Sequence, residues 1–326
     1  MPLILTENDV RAVLPMDDLI DVMQQALVQF SRGEVRQPLR TVLEVGAQKA
    51  FFGVMPAYIP SPAALGTKLV SVFGSNAAAG LPTHLATILL HDPQTGQLLG
   101  LVDGRFITEA RTAAVSAVST RLLARDSASV LAIIGSGVQA RSHLEAIGHV
   151  RPLRSVRVWS PNTGRRERFA AEMQPHTSAR LSPAASAEAA LDGADIVVFA
   201  TASREPVVSS ASIPDGAHIC AVGACRPDQR EMDTDLVRRS RLFVDSRTGA
   251  LAEAGDIVIP IREGAFDASH IAGELGELAA GRVAGRQSSG EVTVFKSLGM
   301  AVEDVAAAHL AFMRASARGM GKPIDV

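Results

Sequence analysis

The stretch Ser129-Val130-Leu131-Ala132-Ile133-Ile134-Gly135-Ser136-Gly137-Val138-Gln139-Ala140 decides the fold. Val130 to Ile134 form a short unbroken apolar run, the pattern of a strand buried on both faces of a parallel sheet. Six small or polar residues follow at once, and then a helix-like stretch over 141–149. This is a dinucleotide fingerprint, with Ala140 in the third small position. Gly135 permits the tight turn out of the strand. Gly137 lets the backbone approach a pyrophosphate, and Ala140 lets the helix pack close to the strand. The helix N-terminus offers unpaired N–H groups and a positive dipole end to that anion. The glycines alone also fit a tight strand–helix turn with no ligand, so their surroundings must decide.

Those surroundings favour a ligand. Ser155 to Ser160 reads as a second strand. It ends about 20 residues past the fingerprint, where a site for NAD usually carries an acid for the ribose hydroxyl. Ser160-Pro161-Asn162-Thr163-Gly164-Arg165-Arg166 stands there instead. No acid repels a 2′-phosphate, and Arg165 and Arg166 are available to pair with it. NADPH is the expected cofactor, with NADH second. A further strand over 196–202 ends in the small residues Ala200, Thr201 and Ala202. Another, over 217–224, ends in Val222, Gly223 and Ala224 and empties into a loop that starts at Cys225. Ligands of doubly wound sheets lie beyond the carboxyl ends of the strands, so both are site positions. A strand over 242–245, a helix over 271–281, and a strand ending at Lys296 and Ser297 complete the middle of the chain. The expected class is α/β: a Rossmann-type doubly wound domain over 119–302, plus an α+β domain over 1–118 with 303–326.

The chain has 326 residues, enough for two domains with cores of their own. A hydrophobic share of 47% and a charged share of 20% are ordinary for a globular protein. A net charge of −2 makes no electrostatic case for nucleic acid or an anionic membrane. No apolar run approaches the ~18 residues of a membrane span, and no leader pattern opens the chain. Cys220 and Cys225 are too few for a disulfide framework or a zinc site, so no metal is expected and a reduced cytoplasmic protein is.

The first third reads differently from the βα alternation. Thr6 and Asp9 have capping-box spacing, and a second helix starts near Met16. Strands are expected over 39–45 and 50–55, and an apolar strand is expected within 65–76. A hairpin follows over 85–102, turning at Asp92-Pro93-Gln94-Thr95-Gly96. Lys68 sits in an apolar strand; it either lines a polar site or marks a sheet edge. Arg40 alone reads as a solvated strand residue. A helix carries the core stripe Ala114, Val115, Val118 and Leu122, with Thr108 and Arg111 near its N-terminal end. An arginine there opposes the helix dipole, which points to a bound anion. The tail over 314–326 reads as frayed.

Several stretches together resemble the ornithine cyclodeaminase/μ-crystallin family. They include Val54-Met55-Pro56-Ala57-Tyr58, Thr67-Lys68-Leu69-Val70, Arg111-Thr112-Ala113-Ala114-Val115-Ser116, the glycine turn, Val222-Gly223-Ala224 with Arg226-Pro227-Asp228, and Val294-Phe295-Lys296-Ser297-Leu298-Gly299. The resemblance implies a homodimer, with the first third and the C-terminal helix forming a substrate-binding and dimerisation domain and the active site between the domains. It implies that Arg40, Lys68 and Arg111 bind a substrate carboxylate. Thr108, Thr112, Phe295, Lys296 and Ser297 join Gly135, Ser136, Gly137, Val138, Gln139, Ala140, Ser160, Asn162, Arg165 and the two strand ends as expected cofactor residues.

Two departures bear on the reaction. Cyclodeaminases of the family carry a glutamate where this chain has Gly53, and an essential aspartate where it has Cys225. The loop is instead similar to the ketimine reductase branch. The expected activity is NAD(P)H-dependent reduction of a small cyclic ketimine carboxylate, giving L-proline or L-pipecolate. Lys68, His84 and Cys225 are the candidate catalytic residues. The rivals are an ornithine cyclodeaminase, an alanine-type amino-acid dehydrogenase, and an NADP-dependent binding protein.

Overall fold

A computed structural model describes residues 1–46 and 50–325; residues 47–49 and 326, the last of the tail, lie outside the described set. Strands are numbered in chain order. The first six are β1 (Leu3–Leu5), β2 (Thr41–Val45), β3 (Ala50–Pro60), β4 (Ala63–Val72), β5 (His84–His91) and β6 (Leu98–Asp103). Next come β7 (Val130–Ile134), β8 (Ser155–Trp159), β9 (Arg180–Pro183), β10 (Ile196–Phe199) and β11 (His218–Ala221). The last are β12 (Arg241–Val244), β13 (Ile271–Glu274), β14 (Thr293–Lys296) and β15 (Lys322–Pro323). The chain divides into two compact units, Met1–Arg111 with Met300–Val326, and Thr112–Gly299.

The first unit is α+β. Its sheet runs β15-β1-β6-β5-β4-β3-β2, and β2 to β6 pair antiparallel. The helix Ala301–Ala317 packs on β3, β4 and β5 and beside the helix Met16–Ser31. Alternation then sorts the side chains: Met55, Ala57 and Ile59 of β3 and Ala64, Lys68 and Val70 of β4 are buried. Strand β4 lies between β3 and β5, so Lys68 is not at a sheet edge. Thr6 and Asp9 close the expected capping box. The tail is not frayed as expected: Leu3 and Ile4 pair with Pro323 and Lys322. Two residues of ladder were too short a pattern to read.

The second unit is a parallel, doubly wound sheet in the order β13-β12-β14-β11-β10-β7-β8-β9. Strand β7 is buried along its whole length, as its apolar run requires. The expected helix over 271–281 is instead β13, beside β12, followed by the short helix Leu275–Ala279. Four residues of mixed polarity carry no period that separates helix from strand. The register aligns the strand ends: Trp159, Ile134, Phe199, Ala221 and Lys296 form one row across β8, β7, β10, β11 and β14. Among the described residues no helix is long and apolar enough to cross a membrane.

Candidate active site

In the first unit the buried cations meet buried acids. Lys68 Nζ lies 2.5 Å from Asp304 Oδ2. Arg111 Nε lies 3.0 Å from Asp304 Oδ1, and its Nη1 lies 2.8 Å from Glu303 Oε2. Both acids are in the first turn of the helix Ala301–Ala317 and have no exposure. Arg40 precedes β2, is half-buried, and its charge is felt at Lys68. Arg40, Lys68 and Arg111 therefore belong to one electrostatic group. A cluster of cations of this kind suits a carboxylate ligand.

The helix carrying Arg111 begins at Gly104. Arg111 therefore stands two turns inside it, and the dipole argument drawn from a later start does not apply. Its charge is held by Glu303 and Asp304. These acids were missed in the sequence, although a signal was present. Two adjacent acids within Ala301-Val302 and Val305-Ala306-Ala307 interrupt an apolar stripe, and buried acids need cationic partners.

The protonation states follow from these neighbours. Burial pulls the Lys68 ammonium down to about 8 against the pull of Asp304, and Arg111 and Arg40 lower it further. For Asp304, Arg111 and Lys68 outweigh burial and hold the carboxyl below its usual range. Burial, with Lys68 and Arg111 beside it, lowers the His84 imidazole to about 4. That direction favours the neutral imidazole of His84 at pH 7. Thr108 Oγ1 donates to Gly104 O at 2.7 Å within its own helix.

In the second unit the row of strand ends builds a cradle. Gly135 has φ +129°, and a Cβ there would stand 2.4 Å from Ala200 O; only glycine fits. Gly137 caps the helix Val138–Val150 with no side chain on the helix N–H groups, and open space surrounds its Cα. That helix start fits a pyrophosphate. Ala140 is buried at its base, while Ser136, Gly137, Val138 and Gln139 reach the surface. Ser136 Oγ donates to Ser160 Oγ at 2.9 Å, tying the turn to the end of β8. Asn162 caps the next helix by accepting from Arg165 N at 2.9 Å. Arg166 Nη1 donates to Ser160 O at 2.9 Å, whereas the Arg165 side chain is exposed.

Ala200, Thr201, Ala202 and Gly223 are exposed or half-buried at the same edge, with Val222 and Ala224 buried behind them. Phe295 and Lys296 have no exposure, and Thr112 and Ser297 are also buried. Lys296 Nζ stands 3.0 Å from Asp256 Oδ2, so its ammonium is aimed inside the unit rather than at a ligand. Cys225 is half-buried, and its Sγ donates to Val222 O at 3.4 Å.

The family pattern described as ornithine cyclodeaminase/mu-crystallin matches residues 1–319. The chain belongs to this family. It is 42% identical to the mouse ketimine reductase mu-crystallin over 297 residues, 90% of this chain and 91% of that one. The solved structure of Thermococcus litoralis Δ1-pyrroline-2-carboxylate reductase, in complex with NADH and L-proline, superposes with a TM-score of 0.97. It is 41% identical and covers 99% of this chain and 100% of its own. An archaeal alanine dehydrogenase, solved as a dimer with bound NAD, is 30% identical, with a TM-score of 0.94 and 99% of each chain covered.

Proposed function

We propose that this protein is an NAD(P)H-dependent reductase of a small cyclic imine bearing a carboxylate. Its substrates are Δ1-pyrroline-2-carboxylate, Δ1-piperideine-2-carboxylate or both, and its products are L-proline and L-pipecolate. The observation that carries the reading is that Arg40, Lys68 and Arg111 belong to one electrostatic group, two of them buried. A desolvated carboxylate is stable only against several charge-assisted donors, and these residues supply them. The solved relative with NADH and L-proline agrees in ligand class.

A bound nicotinamide supplies the hydride that the imine carbon accepts. The chain orients the acceptor. Arg40 and Arg111 hold the carboxylate and fix which face of the ring is presented. The imine nitrogen accepts hydride readily only when protonated. Lys68 is charged at neutral pH with its proton loosened by burial, so it is the proton source favoured over neutral His84. Gly53 and Cys225 offer no carboxylate where the cyclodeaminase reaction needs one, which favours reduction over ammonia loss.

NADPH is the preferred cofactor in this reading. No acid follows β8, and the exposed Arg165 is available to pair with a 2′-phosphate. The protein acts as a homodimer: Val42, Leu43, Val45, Tyr58 and Leu85 are exposed apolar residues of the first unit's sheet, a pattern that suits a protein interface. Two cysteines are too few for a disulfide framework, so this reading places the protein in a reducing cytoplasm.

The test mixes purified protein with NADPH and Δ1-pyrroline-2-carboxylate and follows loss of the reduced nicotinamide. NADH, the six-membered imine, pyruvate with ammonia, and ornithine run alongside. Proline formed at the rate of NADPH loss supports the reading. Ammonia released from ornithine, with no imine reduced, overturns it.

A further inference from the structure

Glu231 is fully buried in the second unit and takes four donors on two oxygens. Its Oε1 accepts from Thr201 N at 2.6 Å and Thr201 Oγ1 at 2.7 Å. Its Oε2 accepts from Gly223 N at 2.7 Å and Ala224 N at 3.1 Å. Its own backbone N–H, with that of Met232, donates to Asp256 Oδ1 at 2.8 and 3.0 Å. Asp256 Oδ2 then faces Lys296 Nζ at 3.0 Å. Thr201 follows β10, Gly223 and Ala224 follow β11, and Lys296 ends β14. These three strands are neighbours in the sheet, in the order β14-β11-β10. The Glu231 carboxylate thus laces two adjacent strand ends, and Asp256 with Lys296 ties in the third, at the edge where a cofactor of a doubly wound sheet lies.

A second observation concerns space. A Cβ on Gly223 would stand 2.1 Å from Thr201 O and 2.5 Å from Glu231 Oε1. The two loops approach too closely for any side chain at Gly223. With both oxygens occupied by donors, the Glu231 side chain accepts at every bond it makes, which favours the carboxylate against the upward push of burial.

We propose that Glu231 is a positioning residue for nicotinamide binding: it sets the spacing between the loops after β10 and β11 and so shapes the floor of the cofactor site. The role rests on the reductase reading above for its chemistry, but it acts through the loops and touches no substrate. Loops held by four charge-assisted bonds, three of them from backbone N–H groups, keep their geometry before the cofactor arrives, so binding orders less of the chain.

The test compares wild type with Glu231→Gln and Thr201→Val, each shown to be folded by circular dichroism. NADPH is titrated by nicotinamide fluorescence, and kcat and KM are measured with the imine. Gln places an N–H donor against backbone donors; Val removes one hydroxyl and no charge. The expected result is a Kd for NADPH raised at least about tenfold by E231Q and about threefold by T201V. The kcat falls while the KM for the imine stays. Folded variants with wild-type Kd and kcat, changed only in Tm, would reduce Glu231 to a structural brace and overturn the inference. If E231Q does not fold, T201V decides by the same criterion. Wild type that binds no nicotinamide overturns both readings. Wild type that binds NADPH but reduces no imine overturns the substrate alone, and the Kd comparison still decides the role of Glu231.

Discussion

Lys68 Nζ and Asp304 Oδ2 stand 2.5 Å apart with both side chains buried, one on strand β4 and the other on the helix Ala301–Ala317. Breaking a buried pair leaves the survivor without compensation. We expect Asp304→Ala to lower stability by about 3 kcal/mol or more in urea denaturation. Adding Lys68→Met to it should recover part of that loss. A double variant no more stable than D304A would mean that Arg111, not Lys68, dominates the charge of Asp304.

Lys68 also sets an expected pH limit on activity. Its ammonium, lowered to about 8, is charged below that pH and neutral above it. Carboxylate binding and proton donation both need the charged form. The kcat/KM for the imine should therefore fall as pH rises through about 8. Lys68→Arg keeps the charge to far higher pH, so its profile should lack this alkaline limb, whatever its absolute rate.

Acid should weaken the second unit for a separate reason. His143 and His218 are fully buried, and burial lowers them to about 4 and about 3. Ser116 Oγ lies 2.9 Å from His143 Nε2, while Ser119 Oγ lies 3.1 Å from His218 Nε2. Both imidazoles are neutral in the folded state and take up protons on unfolding below their ordinary 6.5. The unfolded state then binds more protons, so stability falls as pH falls. At pH 5 the loss should be ~2 kcal/mol for each histidine relative to pH 7. Urea melts at the two pH values check this, and His143→Gln should shrink the difference by about half.

The two arginines after β8 make a further distinction. Arg166 is committed to Ser160 O, whereas Arg165 is exposed. Arg165→Ala should raise the KM for NADPH about tenfold and leave that for NADH unchanged. Arg166→Ala should weaken both cofactors together, because it loosens the loop. Equal effects of R165A on the two cofactors would remove the case for a 2′-phosphate contact.

The second unit was legible because its signals are local. The run Val130 to Ile134, the glycine turn and the missing acid after β8 each occupy consecutive residues, and the strand ends follow from them. The first unit's site was legible only in halves. Lys68 stood out as a charge in an apolar strand, but its partner lies 236 residues away, the difference between positions 304 and 68. No periodicity connects such a pair. Arg111 was flagged as lying at the N-terminal end of its helix, whereas it stands two turns inside. Its actual reason for being buried is Glu303 with Asp304. Glu231 ends the loop that position alone marked as a site after β11, but nothing singled out Glu231 or Asp256 individually, since an acid beside a turn usually faces water. What hid them is that most of their partners are backbone N–H groups, which carry no sequence signature.

The division of the chain also sets an order of assembly during synthesis. The second unit is one continuous segment, Thr112–Gly299, whereas the first needs Met300–Val326 to join Met1–Arg111. A ribosome therefore releases everything the nucleotide-binding unit requires before it releases Glu303 and Asp304. Throughout that interval Lys68 and Arg111 have no counter-charge to be buried with, and the sheet that carries Lys68 lacks its covering helix. The nascent N-terminal third must wait, open, for the last helix to close it.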